Sequence, residues 1–205
     1  MEKSPIVLIG PSGEIPAELW DDISDEHIDL WANSWVPEFL AATKRFDKQS
    51  LSDEKRPQGL NWNWGEIVRK TRPYLTYRRF AILAENKLQG LMLANLSGTA
   101  RIKSQEGKDL AYIDLISTAP WNRKDAVNTA STPRLSGIGL VMVRVAIDLS
   151  KAEGLKGRIG LHSLRQAESF YRERCKMTDL GLDRVKRMVY FETTEEQARA
   201  FAGES

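Results

Sequence analysis

A chain of 205 residues with 41% hydrophobic content is the size of one domain with a substantial core, and a formal charge of +2 excludes a strong general field for polyanions. A single cysteine, Cys175, excludes an intrachain disulfide, and no Cys/His cluster has zinc spacing. No apolar run approaches the ~20 residues of a membrane span, and Met1-Glu2-Lys3-Ser4-Pro5 is too polar for a signal peptide, so a cytoplasmic protein is expected.

Pro5-Ile6-Val7-Leu8-Ile9 is β-rich and is ended by Gly10-Pro11-Ser12-Gly13, which predicts a first strand and a turn. Glu14 to Asp29 carries seven carboxylates interleaved with Leu19, Trp20, Ile23 and Ile28, which predicts one or two amphipathic helices, with Ser24 as a cap. The carboxylates read as a solvated face, or as an acidic wall that draws a cationic amine. Pro37 is expected to bend or end this helix before Phe39-Leu40-Ala41-Ala42. Thr43 to Asn63 reads as a loop or lid, followed by a brief helix from Glu66 to Thr71 closed by Arg72-Pro73.

Three strands are expected next: Tyr77 to Ala84, Leu88 to Leu96 and Asp109 to Thr118. A helix from Ser136 to Glu153 leads by a right-handed crossover to a strand, Gly157 to Ser163, parallel to the third. A helix from Arg165 to Lys176 and a last strand from Arg187 to Glu192 follow. Thr194 and Gln197 have capping-box spacing for a final helix, Glu195 to Phe201.

Strand, glycine loop and helix in succession form a phosphate-holding arrangement, and Arg134-Leu135-Ser136-Gly137-Ile138-Gly139 completes it here. The first turn of a helix presents backbone N–H groups without partners, backed by the macrodipole. Gly137 and Gly139 let phosphate oxygens approach the main chain. The Arg-x-x-Gly-x-Gly spacing resembles the acetyl-CoA pyrophosphate loop of the GNAT N-acetyltransferase superfamily. Ala119-Pro120-Trp121-Asn122-Arg123 resembles the end of that family's central strand, and Ala167-Glu168-Ser169-Phe170-Tyr171 its tyrosine-bearing helix. The resemblance covers residues 78 to 192.

The resemblance implies one α/β domain with a mixed, mostly antiparallel sheet and helices on both faces. Residues 1–76 would form acceptor-side helices and a lid, 77–192 an acetyl-CoA-binding core, and 193–205 a C-terminal helix. Arg134, Leu135, Ser136, Gly137, Ile138, Gly139 and Leu140 would hold acetyl-CoA as cosubstrate. Backbone of Ile116, Ser117 and Thr118 would hold its pantetheine arm where the central strand splays from its parallel neighbour. Tyr171 is the expected acid for the departing thiolate.

Period-two alternation puts Tyr112, Asp114, Ile116 and Thr118 on one strand face. Many relatives carry a glutamate or histidine on that face; Asp114 takes the place of the base here. It needs burial or a water relay to act so, and otherwise orients the amine or pairs with an arginine. Trp62, Trp64 and Trp121 are candidate walls of an acceptor pocket, against the plainer reading of Trp62 and Trp64 as loop-to-core packing.

Leu164 stands where the family often has asparagine, Cys175-Lys176 where it often has Gly-Phe, and Lys124 to Pro133 is an insertion suited to gating. His162 is expected in the core, His27 at the surface, and Cys175 outside the chemistry. Arg69, Lys70, Arg72, Arg78 and Arg79, and Arg165, Arg172, Arg174 and Lys176, read as solvated basic faces, the second also suited to the 3′-phosphate of CoA.

The expected function is acetyl-CoA-dependent N-acetylation of a primary amine on a small molecule, a peptide terminus or a lysine. The alternatives are a non-catalytic acyl-CoA sensor and a toxin-like acetyltransferase of aminoacyl-tRNA. No membrane partner or metal is expected, charged tRNA is the one nucleic acid considered, and a homodimer is an open expectation.

Overall fold

The computed structural model describes residues 1–52, 56–125, 127–130 and 134–203. Asp53 to Lys55 of the expected lid, Ala126 and Ser131 to Pro133 of the insertion, and Glu204 and Ser205 lie outside the described residues. The fold is mixed α/β with a mostly antiparallel sheet of eight strands among the described residues, in the order β1-β2-β3-β4-β5-β6-β8-β7. The strands are β1 (Lys3–Gly10), β2 (Gly13–Trp20), β3 (Tyr77–Ala84), β4 (Lys87–Thr99), β5 (Asp109–Thr118), β6 (Ile159–Ser163), β7 (Thr178–Asp183) and β8 (Met188–Glu192). The helices are α1 (Asp25–Leu30), α2 (Val36–Lys48), α3 (Trp64–Thr71), α4 (Ile138–Ala152) and α5 (Glu195–Ala202). No helix among the described residues is long and apolar enough to cross a membrane. Two compact units divide the chain: residues 1–74, 79–91 and 117–139 in the first, and 75–78, 92–116 and 140–205 in the second.

In the first unit, β1 and β2 form a hairpin whose register runs from Lys3↔Trp20 to Gly10↔Gly13. The expected helix over Glu14 to Trp20 is therefore a strand. Glu14 and Glu18 alternate with Ile15, Ala17 and Leu19 at period two, and Gly10 and Gly13 flank a two-residue turn that fixes this period. Pairing with β3 begins only at Ala17, so Pro16, which has no N–H to give, sits where β2 has a single strand neighbour.

The helical half of the expectation starts at Ser24. Its Oγ accepts from His27 N–H and its own N–H donates to His27 Nδ1, at 3.3 and 3.1 Å. This is a capping box with histidine in the glutamate position, so His27 is 3% exposed and not a surface residue. Pro37 opens α2 rather than ending a helix. Helical backbone is continuous through a wide turn, Trp31–Trp35, into α2, with Val36 N–H on the Trp31 carbonyl, and this wide turn lies just ahead of Pro37, which has no N–H to give.

In the second unit, β5 and β6 are parallel, with Ala111↔Ile159, Tyr112↔Gly160 and Ile113↔Leu161 in register. β8 pairs antiparallel with β6 and with β7. The sequence Thr178-Asp179-Leu180-Gly181-Leu182-Asp183 was not expected to be a strand. It is mostly exposed, and its register shifts between Asp179 and Leu182, which removes the alternation that marks a half-buried strand. The helix expected from Arg165 to Lys176 forms as continuous helical backbone from Arg165 to Arg174, tight at Arg165–Ala167 and wide at Phe170–Arg174, and is closed by Cys175 N–H on the Phe170 carbonyl. α5 forms with both capping-box bonds between Thr194 and Gln197.

Gly160 on β6 is a close-approach glycine: a Cβ there would lie 2.3 Å from the Tyr190 hydroxyl and 3.1 Å from its ring. Gly160→Ala should lower stability by about 1–3 kcal/mol through overpacking. A urea unfolding midpoint equal to the wild type would contradict this packing.

Candidate active site

The loop that enters α4 is held by a buried side-chain network in the first unit. Gln89 is fully buried, and its Oε1 accepts from Asn122 Nδ2 at 2.7 Å and from Trp121 Nε1 at 3.1 Å. Gln89 Nε2 donates to the Ala84 carbonyl, and the Gln89 carbonyl accepts from Ala119 N–H. Asn122 Oδ1 then accepts from Leu135 N–H at 2.8 Å, and the Trp121 carbonyl accepts from Arg134 N–H at 3.1 Å. Ser136 and Ile9 exchange backbone hydrogen bonds at 2.8 and 3.2 Å, tying the loop to β1.

Three of the six amides from Arg134 to Gly139 are thus engaged within the protein. The cradle narrows to Gly137 and the first turn of α4, whose amides have no intrahelical carbonyl to reach. Gly137 has φ +93°, and a Cβ there would meet nothing within 4 Å, so space is open beside this backbone. The Arg134 guanidinium pairs with exposed Glu85 at 2.6 Å, a contact that solvent weakens.

The three tryptophans differ. Trp64 is 1% exposed and donates Nε1–H to Ser117 Oγ at 3.2 Å, which makes it core. Trp121 has its only donor on Gln89. Trp62 is half-buried. In the acidic run, Glu18 pairs with Lys3, Asp22 with Arg79 and Asp25 with Arg72, which ties up part of the expected wall and part of the first basic group.

In the second unit, the β5–β6 pairing ends at Ile113↔Leu161 although β5 continues through Asp114 and β6 to Ser163. The strands part from Asp114 onward, two residues before Ile116, where the splay of the central strand is expected to begin. Asp114 begins the unpaired stretch. Its Oδ2 is buried and has no hydrogen-bond partner among the described residues. Burial raises its carboxyl from 3.8 to about 6, with Lys186 opposing. The arginine partner considered from the sequence does not occur among the described ion pairs.

Tyr171 is 8% exposed, in the wide turn, with its ring 5.1 Å from Phe170 and 5.8 Å from Phe191. Burial pushes its phenol well above the usual range, which makes it a weaker acid than a free phenol. Cys175 is buried, and its thiol is pushed up to about 12, which leaves little thiolate for reaction. Arg172 pairs with Asp179 at 2.5 Å. His162 is nearly enclosed, with Nδ1 2.6 Å from Tyr112 Oη and Nε2 3.0 Å from Asp183 Oδ2. The sequence placed this histidine in the core but gave no sign of either partner.

No family model and no curated protein matches this chain. Solved structures do. An uncharacterized protein of Bacillus halodurans superposes with a TM-score of 0.57 at 8% identity, covering 98% of this chain and 95% of its own. A putative acetyltransferase of the GNAT family from Desulfovibrio desulfuricans gives 0.52 at 13% identity, over 87% of this chain and 99% of its own. RimJ of Mycobacterium smegmatis in complex with CoA-disulfide gives 0.49 at 14% identity, over 99% and 95%.

The Asp114 carboxyl titrates at 3.8 when free and at about 6 when folded. The folded state holds this proton more tightly, so the stability it contributes is complete below pH 3.8 and is lost as pH rises through 6. The loss above pH 6 is about 3 kcal/mol. Asp114→Asn should therefore gain about 2–3 kcal/mol relative to wild type between pH 4 and pH 7.5 in chemical denaturation. A constant difference across that range would contradict a water-poor site for Asp114.

Proposed function

We propose that this chain, which has the fold of the GNAT acetyltransferases, is an acetyl-CoA-dependent N-acetyltransferase acting on a primary amine. The observation that carries this reading is the open, left-handed Gly137 at the start of α4, fixed by the Gln89–Asn122 network. The amides of Gly137, Ile138 and Gly139 bind a pyrophosphate there, as helix N-termini do. Ile116, Ser117 and Thr118 lie beyond the paired part of β5, which suits them to hold a pantetheine arm through the main chain.

Acetyl-CoA, when bound, supplies an acetyl group on a thioester. Asp114 takes a proton from the acceptor ammonium, a role supported at neutral pH by its raised carboxyl and by a buried Oδ2 with no hydrogen-bond partner among the described residues. Tyr171 gives its proton to the departing thiolate as the C–S bond breaks and the C–N bond forms, and the second proton of the acylated nitrogen restores the phenol. The neutral amine then needs only placement, and half-buried Trp62 remains the candidate wall of the acceptor pocket.

The test is CoA thiol release from acetyl-CoA in the presence of polyamines, peptide N-termini and lysine peptides. Turnover is expected with one of these classes. Tyr171→Phe should lower kcat ~100-fold, within the range for general acid catalysis, with the KM for acetyl-CoA unchanged. Equal turnover in that variant would remove Tyr171 from the reaction. Tight acetyl-CoA binding without turnover on any amine would favour a sensor instead.

A further inference from the structure

We infer that Tyr112, His162 and Asp183 form a proton relay in which His162 receives, through the Tyr112 hydroxyl, the proton that Asp114 removes from the acceptor amine. The inference rests on the reading of Asp114 as the base.

The directions of the hydrogen bonds follow from the groups themselves. Asp183 is an ionised carboxylate: Arg101 at 2.8 Å, Lys186 N–H and His162 hold it well below the usual carboxylate range. A carboxylate only accepts, so His162 Nε2 carries the hydrogen of the 3.0 Å contact. Burial keeps this imidazole neutral and lowers its affinity for a second proton, which leaves Nδ1 bare. Tyr112 therefore donates its O–H to Nδ1 across 2.6 Å. The order carboxylate, imidazole, hydroxyl is that of a catalytic triad, with tyrosine in the position of serine.

Tyr112 and Asp114 lie on the same face of β5, two residues or about 7 Å apart along the strand, the span of one water or one amine nitrogen. Asp114 Oδ2 has no partner among the described residues, so nothing described intervenes to hold its proton. One proton is transferred with no net redox change: protonated Asp114 gives its hydrogen to a bridging water, the water gives one of its own to Tyr112 Oη, and the Tyr112 hydrogen passes to His162 Nδ1. Tyr112 is never an anion, which its raised phenol requires. The charged and titratable groups around the ring are Tyr112 and Asp114 on β5, Arg101 in the β4–β5 connection, Tyr190 on β8, and Asp183 and Lys186 at the β7–β8 turn. Asp183 is the one that favours an imidazolium, at 3.0 Å, while Arg101 and Lys186 limit how long it persists.

The test has one arm that needs no turnover. In ligand-free protein with ¹⁵N-labelled histidine, His162 should be the Nε2–H tautomer at pH 7.5. Its shifts should show an inflection near pH 6 that disappears in Asp114→Asn and is flattened in Tyr112→Phe. An Nδ1–H tautomer, or an inflection unchanged in Asp114→Asn, would overturn the relay even if Tyr112→Phe does not fold. The second arm uses an amine that the protein acetylates. Tyr112→Phe should lower kcat ~10-fold below pH 7 and approach wild type above pH 9, at constant KM for acetyl-CoA. A loss uniform in pH would overturn the relay. The expected NMR result in a protein that acetylates no amine would uphold the coupled chain and reject the transferase reading.

Discussion

The buried amide of Gln89 is the contact on which the candidate cofactor loop depends. Its Oε1 takes two donors, Trp121 Nε1 and Asn122 Nδ2, from the segment that follows β5. Asn122 passes the constraint on to Leu135 N–H, one turn before α4 begins. A buried polar group left unpaired costs about 1–3 kcal/mol, so this chain of bonds holds only when every member is present. It sets the direction in which Gly137 enters the helix, and with it the direction of the first-turn amides. Loop geometry that looks local is therefore fixed from β4, some fifty residues upstream in sequence.

The second constraint is the place where β5 and β6 part. Up to Ile113 the strand is an ordinary parallel partner, and from Asp114 onward its β6-facing edge is no longer paired strand to strand. The same strand thus supplies a rigid base and an unpaired edge. Asp114 sits at the junction, where burial raises its carboxyl to about 6 against the opposing charge of Lys186, and its Oδ2 has no hydrogen-bond partner among the described residues. A polar group held at an energetic disadvantage is what sequence-optimal packing avoids and what functional sites retain.

Much of this was legible in the sequence, and the exceptions share a cause. β3 and β5 were read to their exact bounds because turn residues and β-branched runs frame them. α5 was read from a capping box whose two bonds form. The β1–β2 hairpin reads in part as helix because its acidic residues alternate with apolar ones over a stretch too short to separate the two periods. β7 was missed because it is exposed and bulged. His27 was assigned to the surface because histidine replaces glutamate in its capping box. Gln89 was hidden within an apolar run, and its partners lie 32 and 33 residues away. The glycine loop was readable because conformation and spacing are local. The network that orients it, and the Tyr112–His162–Asp183 chain, were not readable because they join residues far apart in sequence.

The most direct test of the account is thermal unfolding of the whole chain with and without acetyl-CoA, for wild type and for Gly137→Val. Ligand at about 100 times its Kd adds ~2.7 kcal/mol. For this size of chain the account predicts a rise of roughly 5–10 °C in wild type and its loss in the folded Gly137 variant. No shift with saturating acetyl-CoA in wild type, or an equal shift in both proteins, would contradict the claim that the α4 entrance holds the cosubstrate.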